Sequence, residues 1–364
     1  MAAEVLYRLP YAREYVHLVQ RQGAPEELAS VTELNGRRGF VFAPFAIAEQ
    51  TPVLLMHPDD ELRVAVPLAD EDSSSEEYTP AEILPADSLL RRRYAIDFAN
   101  FHAQLEKGAF RKIVLARQAE MTTGGKPDAE ALFLRACRRY PRLFVALVSM
   151  PKSGTWLMAT PETLLEGNGQ QWRTMALAGT MRLTGEQLAF DSPLGNNTVP
   201  IVWSTKDIQE QRYVSTYLIE CLERYTRDFS EEGPYSVRAG DLVHLRSDFT
   251  FTLEQPDRLG SLLETLHPTP AVCGLPKDEA QRFILQNEAA PRRYYSGFVG
   301  CLDPQGDTRL YVSLRCMEIL DERYRLYAGG GLLCESEEEK EWRETEAKLE
   351  TMKRCIAIRE TSTY

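Results

Sequence analysis

The sequence is poor in the patterns that build metal cages and covalent cross-links. Its five histidines show no HxxxH or HxxEH spacing, which argues against a histidine-bound catalytic metal. Its seven cysteines form no CxxC pair, are odd in number, and fall mostly in apolar contexts such as Cys221 in YLIECL. They are expected to be buried, reduced thiols of a cytoplasmic protein, neither a disulfide framework nor a zinc site. No apolar run suits a membrane: the longest, Arg142–Met150 (RLFVALVSM), falls far short of the roughly 18–20 residues of a span. The N-terminal MAAEVLYRLPYARE lacks the pattern of an export signal. Positive charge is short as well, with 42 Lys+Arg against 54 Asp+Glu and a net charge of −12. That argues against a basic nucleic-acid-binding face and against a polybasic membrane surface. Phosphate loops are also missing: Tyr327–Leu333 (YAGGGLL) fits neither GxGxxG nor GxxxxGK[ST] and reads as a glycine turn after a strand.

What is present is ordinary globular material. Apolar residues that recur every three or four positions from Asp87 (Leu90, Tyr94, Phe98, Phe101, Leu105) predict a helix. Further helices are expected over Asp128–Tyr140, Thr205–Tyr225 and Ser336–Arg354. Strands are expected at Lys112–Arg117, 142–150, 155–160, 172–179, Leu242–Leu245, Leu310–Ile319 and Tyr324–Gly329, with a turn at Gly167–Gly169. The acidic, serine-rich Ala69–Tyr78 reads as a solvated loop. Hairpin-linked strands mixed with helices indicate an α+β fold, mostly antiparallel sheets packed as a sandwich with helices outside.

Several polar residues stand where apolar ones are expected. Lys112 opens an apolar strand and shares a face with Val114 and Ala116. It is either a strand-end lysine snorkelling to solvent or a buried lysine suited to general-base work. Glu162, in ATPETLLE, follows directly on the expected strand 155–160, and capping of a helix or turn is one reading of it. Glu210 lies in register with the apolar stripe Tyr213, Val214, Tyr217, Leu218 and Cys221, and needs a cationic partner or a cation. Glu335–Glu346 reads as a solvated charged helix face, although Glu341, Glu344 and Lys348 flanking Trp342 would also suit a hard cation plus an anion.

Taken in order, these fragments resemble the chorismate-utilising enzymes. The matching pieces are KIVLAR (112–117), TPETLLE (160–166), LAGT (177–180), KDIQE (206–210), VHL (243–245) and LHPTPAVCGLP (266–276). EAAPRRYYSGFVG (288–300), VSLRC (312–316), AGGGLL (328–333) and EWRETEAKLETM (341–352) complete the set. The resemblance implies one domain over 1–364, with a variable N-terminal region (1–107) and a catalytic chorismate-binding core (108–357). LHPTPAVCG and a lysine at 112 are similar to the isochorismate synthase branch. The implied reaction is attack of water at chorismate C2 with loss of the C4 hydroxyl, and it serves menaquinone or siderophore synthesis. By resemblance, Lys112 is the general base and Glu162 the general acid. Gly179, Thr180, His244, Arg315, Gly331 and Lys348 bind substrate. Glu210 and Glu344 hold Mg²⁺ with Glu341 close by. No glutamine amidotransferase subunit is implied, and a monomer is expected. A salicylate synthase and a non-catalytic chorismate-fold protein are the alternatives. Where relatives read E-K-D-R-x-E-H, this chain has Thr205-Lys206-Asp207-Ile208-Gln209-Glu210-Gln211, which keeps the ligand glutamate and changes its neighbours. Glu288-Ala289-Ala290-Pro291-Arg292 also departs from the relatives' E-x-x-P-x-R.

Overall fold

The run Phe144–Met150 is apolar but for Ser149 because both faces of its strand are covered. Phe144, Ala146 and Val148 point into a core shared by two sheets, while Val145 and Leu147 pack beneath a helix layer. The computed structural model describes residues 2–67, 87–122, 126–183, 201–239 and 242–356. The acidic segment 69–78 lies outside the described residues.

In chain order the strands are β1 (Ala3–Arg8), β2 (Glu14–Gln20), β3 (Glu26–Leu28), β4 (Gly39–Ala43), β5 (Val53–Met56) and β6 (Asp60–Ala65). They continue with β7 (Lys112–Thr122), β8 (Phe144–Met150), β9 (Gly154–Thr160), β10 (Thr163–Asn168), β11 (Gln171–Arg182) and β12 (Phe229–Ala239). The last are β13 (Leu242–Thr252), β14 (Gly274–Leu275), β15 (Phe298–Leu302), β16 (Asp307–Val312), β17 (Cys316–Ile319) and β18 (Arg323–Leu332). The helices are α1 (Asp87–Glu106), α2 (Ala129–Arg139), α3 (Thr205–Leu222), α4 (Leu259–Leu266), α5 (Lys277–Asn287) and α6 (Glu338–Lys353).

Two nine-stranded sheets result, in the orders β14-β7-β18-β17-β9-β8-β1-β2-β6 and β12-β13-β11-β10-β16-β15-β4-β5-β3. The ladders described between these strands are antiparallel, as at Phe144↔Thr160 and Phe298↔Val312. Between the sheets lies an aromatic core in which Phe42 stacks on Tyr294 at 4.3 Å and Phe144 on Tyr311 at 4.0 Å. Helices α3 and α4 cover the outer face of one sheet, and α2 with the end of α6 covers the other. The architecture is the expected α+β sandwich with external helices. Strands β1–β6, for which the sequence pattern predicts no elements, form the outer strands of both sheets.

The four expected helices, α1, α2, α3 and α6, follow their predicted bounds closely, while α4 and α5 have no counterpart in the sequence reading; α2 and α3 are capped locally, Asp128 accepting from Ala131 N and Ser204 from Asp207 N. One strand expectation and one turn expectation fail. The single strand Leu310–Ile319 is two strands in different sheets, broken at Ser313–Arg315, where Arg315 takes φ 45°. The glycines of YAGGGLL do not turn; Gly329, Gly330 and Gly331 sit inside β18, paired with Ala116, Leu115 and Val114.

Candidate active site

The chain changes sheets twice at one place. Strand β9 leaves the first sheet at Pro161 and Glu162 to become β10 in the second, and β16 returns through Ser313–Arg315 to become β17. Val312 N donates to Glu162 O at 2.9 Å, and Ala159 N donates to Arg315 O at 3.1 Å, so the crossings are zipped together. Beside them opens a narrow cleft lined by Glu162, Gly179, Thr180, Glu210, His244, Arg315, Gly331 and Lys348 among others. Lys112 stands directly behind it: a methyl group at Gly331 would lie 2.9 Å from Lys112 Cε and would collide with the Glu210 carboxylate.

Lys112 is fully buried, which rules out the snorkelling reading. Its Nζ lies 2.9 Å from Glu210 Oε1, an ion pair without the alignment of a hydrogen bond. Burial alone would raise the Glu210 pKa, but Lys112 and then Lys206 hold it below the usual carboxylate range. Glu162, 2% exposed, sits between two strands and caps no helix. Burial pushes its carboxyl up to about 8, against the opposing pull of Lys112 and Lys348. A carboxylic acid that keeps its proton near neutrality thus lines the pocket, with a buried lysine behind it.

The LAGT segment forms a β-bulge. The register of β11 on β13 slips between Ala178 and Thr180, and Gly179 takes φ +67°. A side chain there would also press on Asp207 Cβ at 3.1 Å. Gln211 braces the bulge, accepting from Ala178 N at 2.9 Å and donating to Ala176 O at 3.2 Å. The departure at 211 therefore has a structural account, and Ile208 is simply exposed. His244 reaches Gly179 O from Nδ1 at 3.1 Å, and its Nε2 accepts from Arg315 Nη2 at 2.6 Å. Arg315 also donates to Ala239 O at 3.0 Å, and burial lowers its pKa to about 10, still cationic at neutral pH. Lys348 donates to Gly329 O at 2.8 Å and Glu344 Oε1 at 2.6 Å.

Glu341 and Glu344 lie across the glycines of β18 from Glu210. A methyl group at Gly330 would sit 3.1 Å from Glu341 Oε2 and 3.8 Å from Glu344 Oε1. Glu341 is 2% exposed, contrary to a solvated helix face, and burial followed by Glu344 raises its carboxyl to about 7. Its Oε2 is buried without a hydrogen-bond partner. Among the described residues no three His, Cys, Asp or Glu side chains converge as a ready-made cage. Few carboxylates and an unsatisfied buried oxygen nevertheless fit Mg²⁺, which completes its shell with water and substrate oxygens.

Three groups escaped the sequence reading. Lys206 pairs with Glu341. Asp207 is drawn into the same acidic cluster, its pKa raised by burial and by Glu210 and Glu344 against the Ser204 hydrogen bond. Its position three residues before Glu210, on one helix face, was the available signal. The pair Glu288–Arg292 is buried and replaces a strand neighbour: Glu288 Oε1 accepts from Ala116 N at 2.8 Å, and Arg292 donates to Val114 O at 2.9 Å and to Val272 O at 2.6 Å.

The chain belongs to the chorismate binding enzymes, whose family pattern it matches over residues 45–357. It is 31% identical over 242 residues to isochorismate synthase EntC of Escherichia coli K12, covering 66% of this chain and 61% of that protein. It is 31% identical over 264 residues to isochorismate synthase DhbC of Bacillus subtilis, covering 70% of this chain and 65% of that one. The matched region thus spans 61% and 65% of these relatives' lengths. In fold, it superposes on the crystal structure of a 2,3-dihydroxybenzoate-specific isochorismate synthase described as putative, DhbC from Bacillus anthracis, with TM-score 0.79 at 23% identity, covering 97% of this chain and 96% of that one.

Proposed function

We propose that the cleft is the active site of a Mg²⁺-dependent isochorismate synthase. The observation that carries this is Glu162, buried at the sheet crossing and lining the cleft, within the electrostatic reach of the buried Lys112. Lys112 takes a proton from water attacking C2 of chorismate, and Glu162 gives its proton to the departing C4 hydroxyl. Arg315 and Lys348 receive the substrate carboxylates, with backbone groups of Gly179, Thr180 and Gly331 close around the ring and His244 holding Arg315. Mg²⁺ held by Glu210, Glu344 and Glu341 would supply a Lewis acid for the ring carboxylate. Isochorismate made here would feed menaquinone or siderophore formation. The protein would act in the cytoplasm as a monomer without an amidotransferase subunit; no described helix is long and apolar enough to cross a membrane.

The test is chromatography of chorismate incubated with the protein, with Mg²⁺ and with a chelator. Isochorismate as sole product, lost on chelation, is expected. Salicylate and pyruvate would assign a salicylate synthase, and unchanged chorismate a non-catalytic binding protein.

A further inference from the structure

Each carboxylate assigned to the cation already has a positive partner. Glu210 pairs with Lys112 at 2.9 Å, Glu344 with Lys348 at 2.6 Å, and Glu341 with Lys206. Lys112 and Lys348 have roles in the proposed reaction, whereas Lys206 has none. It lines a separate groove beside the cleft, together with Asp207, Glu341 and Glu344. Its ammonium meets Glu341 Oε1, which also accepts from Ser336 Oγ at 2.8 Å; the second oxygen of that carboxylate stays buried and unpartnered. The same field that would hold a divalent cation therefore holds this ammonium.

We infer that Lys206 is a tethered counter-cation, which fills the cation's place at Glu341 in the metal-free protein and is expelled into the groove when a divalent ion binds. The inference rests on the reading of Glu210, Glu341 and Glu344 as the cation's ligands. Close, buried carboxylates repel one another unless a positive charge stands between them. Lysine suits that duty, because its charge is compact and its stem flexible, so it can leave without dismantling a planar multidentate contact. The groove gives it somewhere to go: the Lys206 side chain is already 21% exposed, against 2% for Glu341. Competition of this kind lowers the apparent affinity for the ion, because only molecules with Lys206 displaced are competent to bind it.

Two measurements with Mn²⁺ as the probe decide the matter. Free Mn²⁺ at equilibrium, counted by electron paramagnetic resonance, gives affinities for the wild-type chain, Lys206→Met, Lys206→Arg and Glu344→Gln. Lys206→Met should bind at least tenfold tighter than wild type and Lys206→Arg no tighter than wild type. Reductive methylation read by peptide mass spectrometry should show Lys206 of the wild-type chain reacting severalfold faster with Mn²⁺ bound than without it. This second measurement needs no variant to fold. Unchanged or slower labelling overturns the inference, as does equal or weaker binding by Lys206→Met, and both leave the cation ligands standing. Failure of the wild-type chain to bind Mn²⁺, or equal binding by Glu344→Gln, overturns the ligand reading itself and the inference with it.

Discussion

Arg315 Nη2 donates to His244 Nε2 across 2.6 Å, and this contact fixes the state of the histidine. An arginine can only donate, so the imidazole proton resides on Nδ1, which donates to Gly179 O at 3.1 Å. Burial, followed by the charge of Arg315, holds the His244 pKa well below its ordinary 6.5, so the ring is neutral. The bulge at Gly179, the histidine and the guanidinium form one relay of position.

In the proposed site, His244 would act on substrate through Arg315. Replacing it with Phe removes a hydrogen bond to a charged group, worth about 1.5–3 kcal/mol. The KM for chorismate should rise roughly 10- to 100-fold, at about 1.4 kcal/mol per tenfold, with a smaller change in kcat. Steady-state kinetics on the variant checks this, and a pure kcat effect would contradict it.

Glu162→Gln should lower kcat by roughly 100- to 10,000-fold, the usual contribution of a positioned acid. The same change should alter stability with a definite sign. The folded carboxyl titrates near 8 and the unfolded one near 4.5, so between those values the folded chain holds a proton that the unfolded chain has lost. Raising the pH across that window therefore destabilises the wild-type fold. The Tm of Glu162→Gln relative to wild type should climb from pH 5 to pH 8, and a flat difference would refute the buried-acid assignment. Wild-type activity should fall above pH about 8 as the acid loses its proton.

Lys112→Ala should abolish turnover while chorismate still binds, as followed by calorimetry. It should also cost about 3–5 kcal/mol of stability, because Glu210 is left as an unpaired buried charge. The double variant Lys112→Met/Glu210→Gln should recover most of that stability and none of the activity. Recovery of activity would remove the lysine from the base role.

Glu288→Ala touches nothing in the cleft but strips Ala116 N and Arg292 of their partner. Loss of about 3–5 kcal/mol is expected from breaking a buried pair. Urea denaturation should show it, with chorismate KM near wild type at temperatures where the variant remains folded.

Local signals were legible in the sequence. Helices α1, α2, α3 and α6 carry their apolar period within themselves, α2 and α3 with a capping side chain as well, and the core strands β8 and β9 announce themselves by apolar runs. Resemblance brought forward the residues that the fold gathers at the cleft. Long-range geometry was not legible. Nothing local distinguishes Leu310–Ile319 as one strand from two, since the break needs only Arg315 at φ 45° and two sheets to join. Three glycines look like a turn until their neighbours are known; here they stay in a strand because Tyr295, Glu341, Glu210 and Lys112 occupy the space that side chains would take. Lys112 looked like a solvent-facing end residue, because its partner Glu210 is remote in the chain.

The paired crossings carry a consequence for how the molecule comes into being. Glu162 is joined to Val312 and Arg315 to Ala159, contacts that close very long loops of chain. Loop-closure entropy must be met before such pairings give anything back, and folds dominated by them form slowly. The cleft draws its lining from both sheets, so it is complete only when these long-range pairings have brought the two sheets into register.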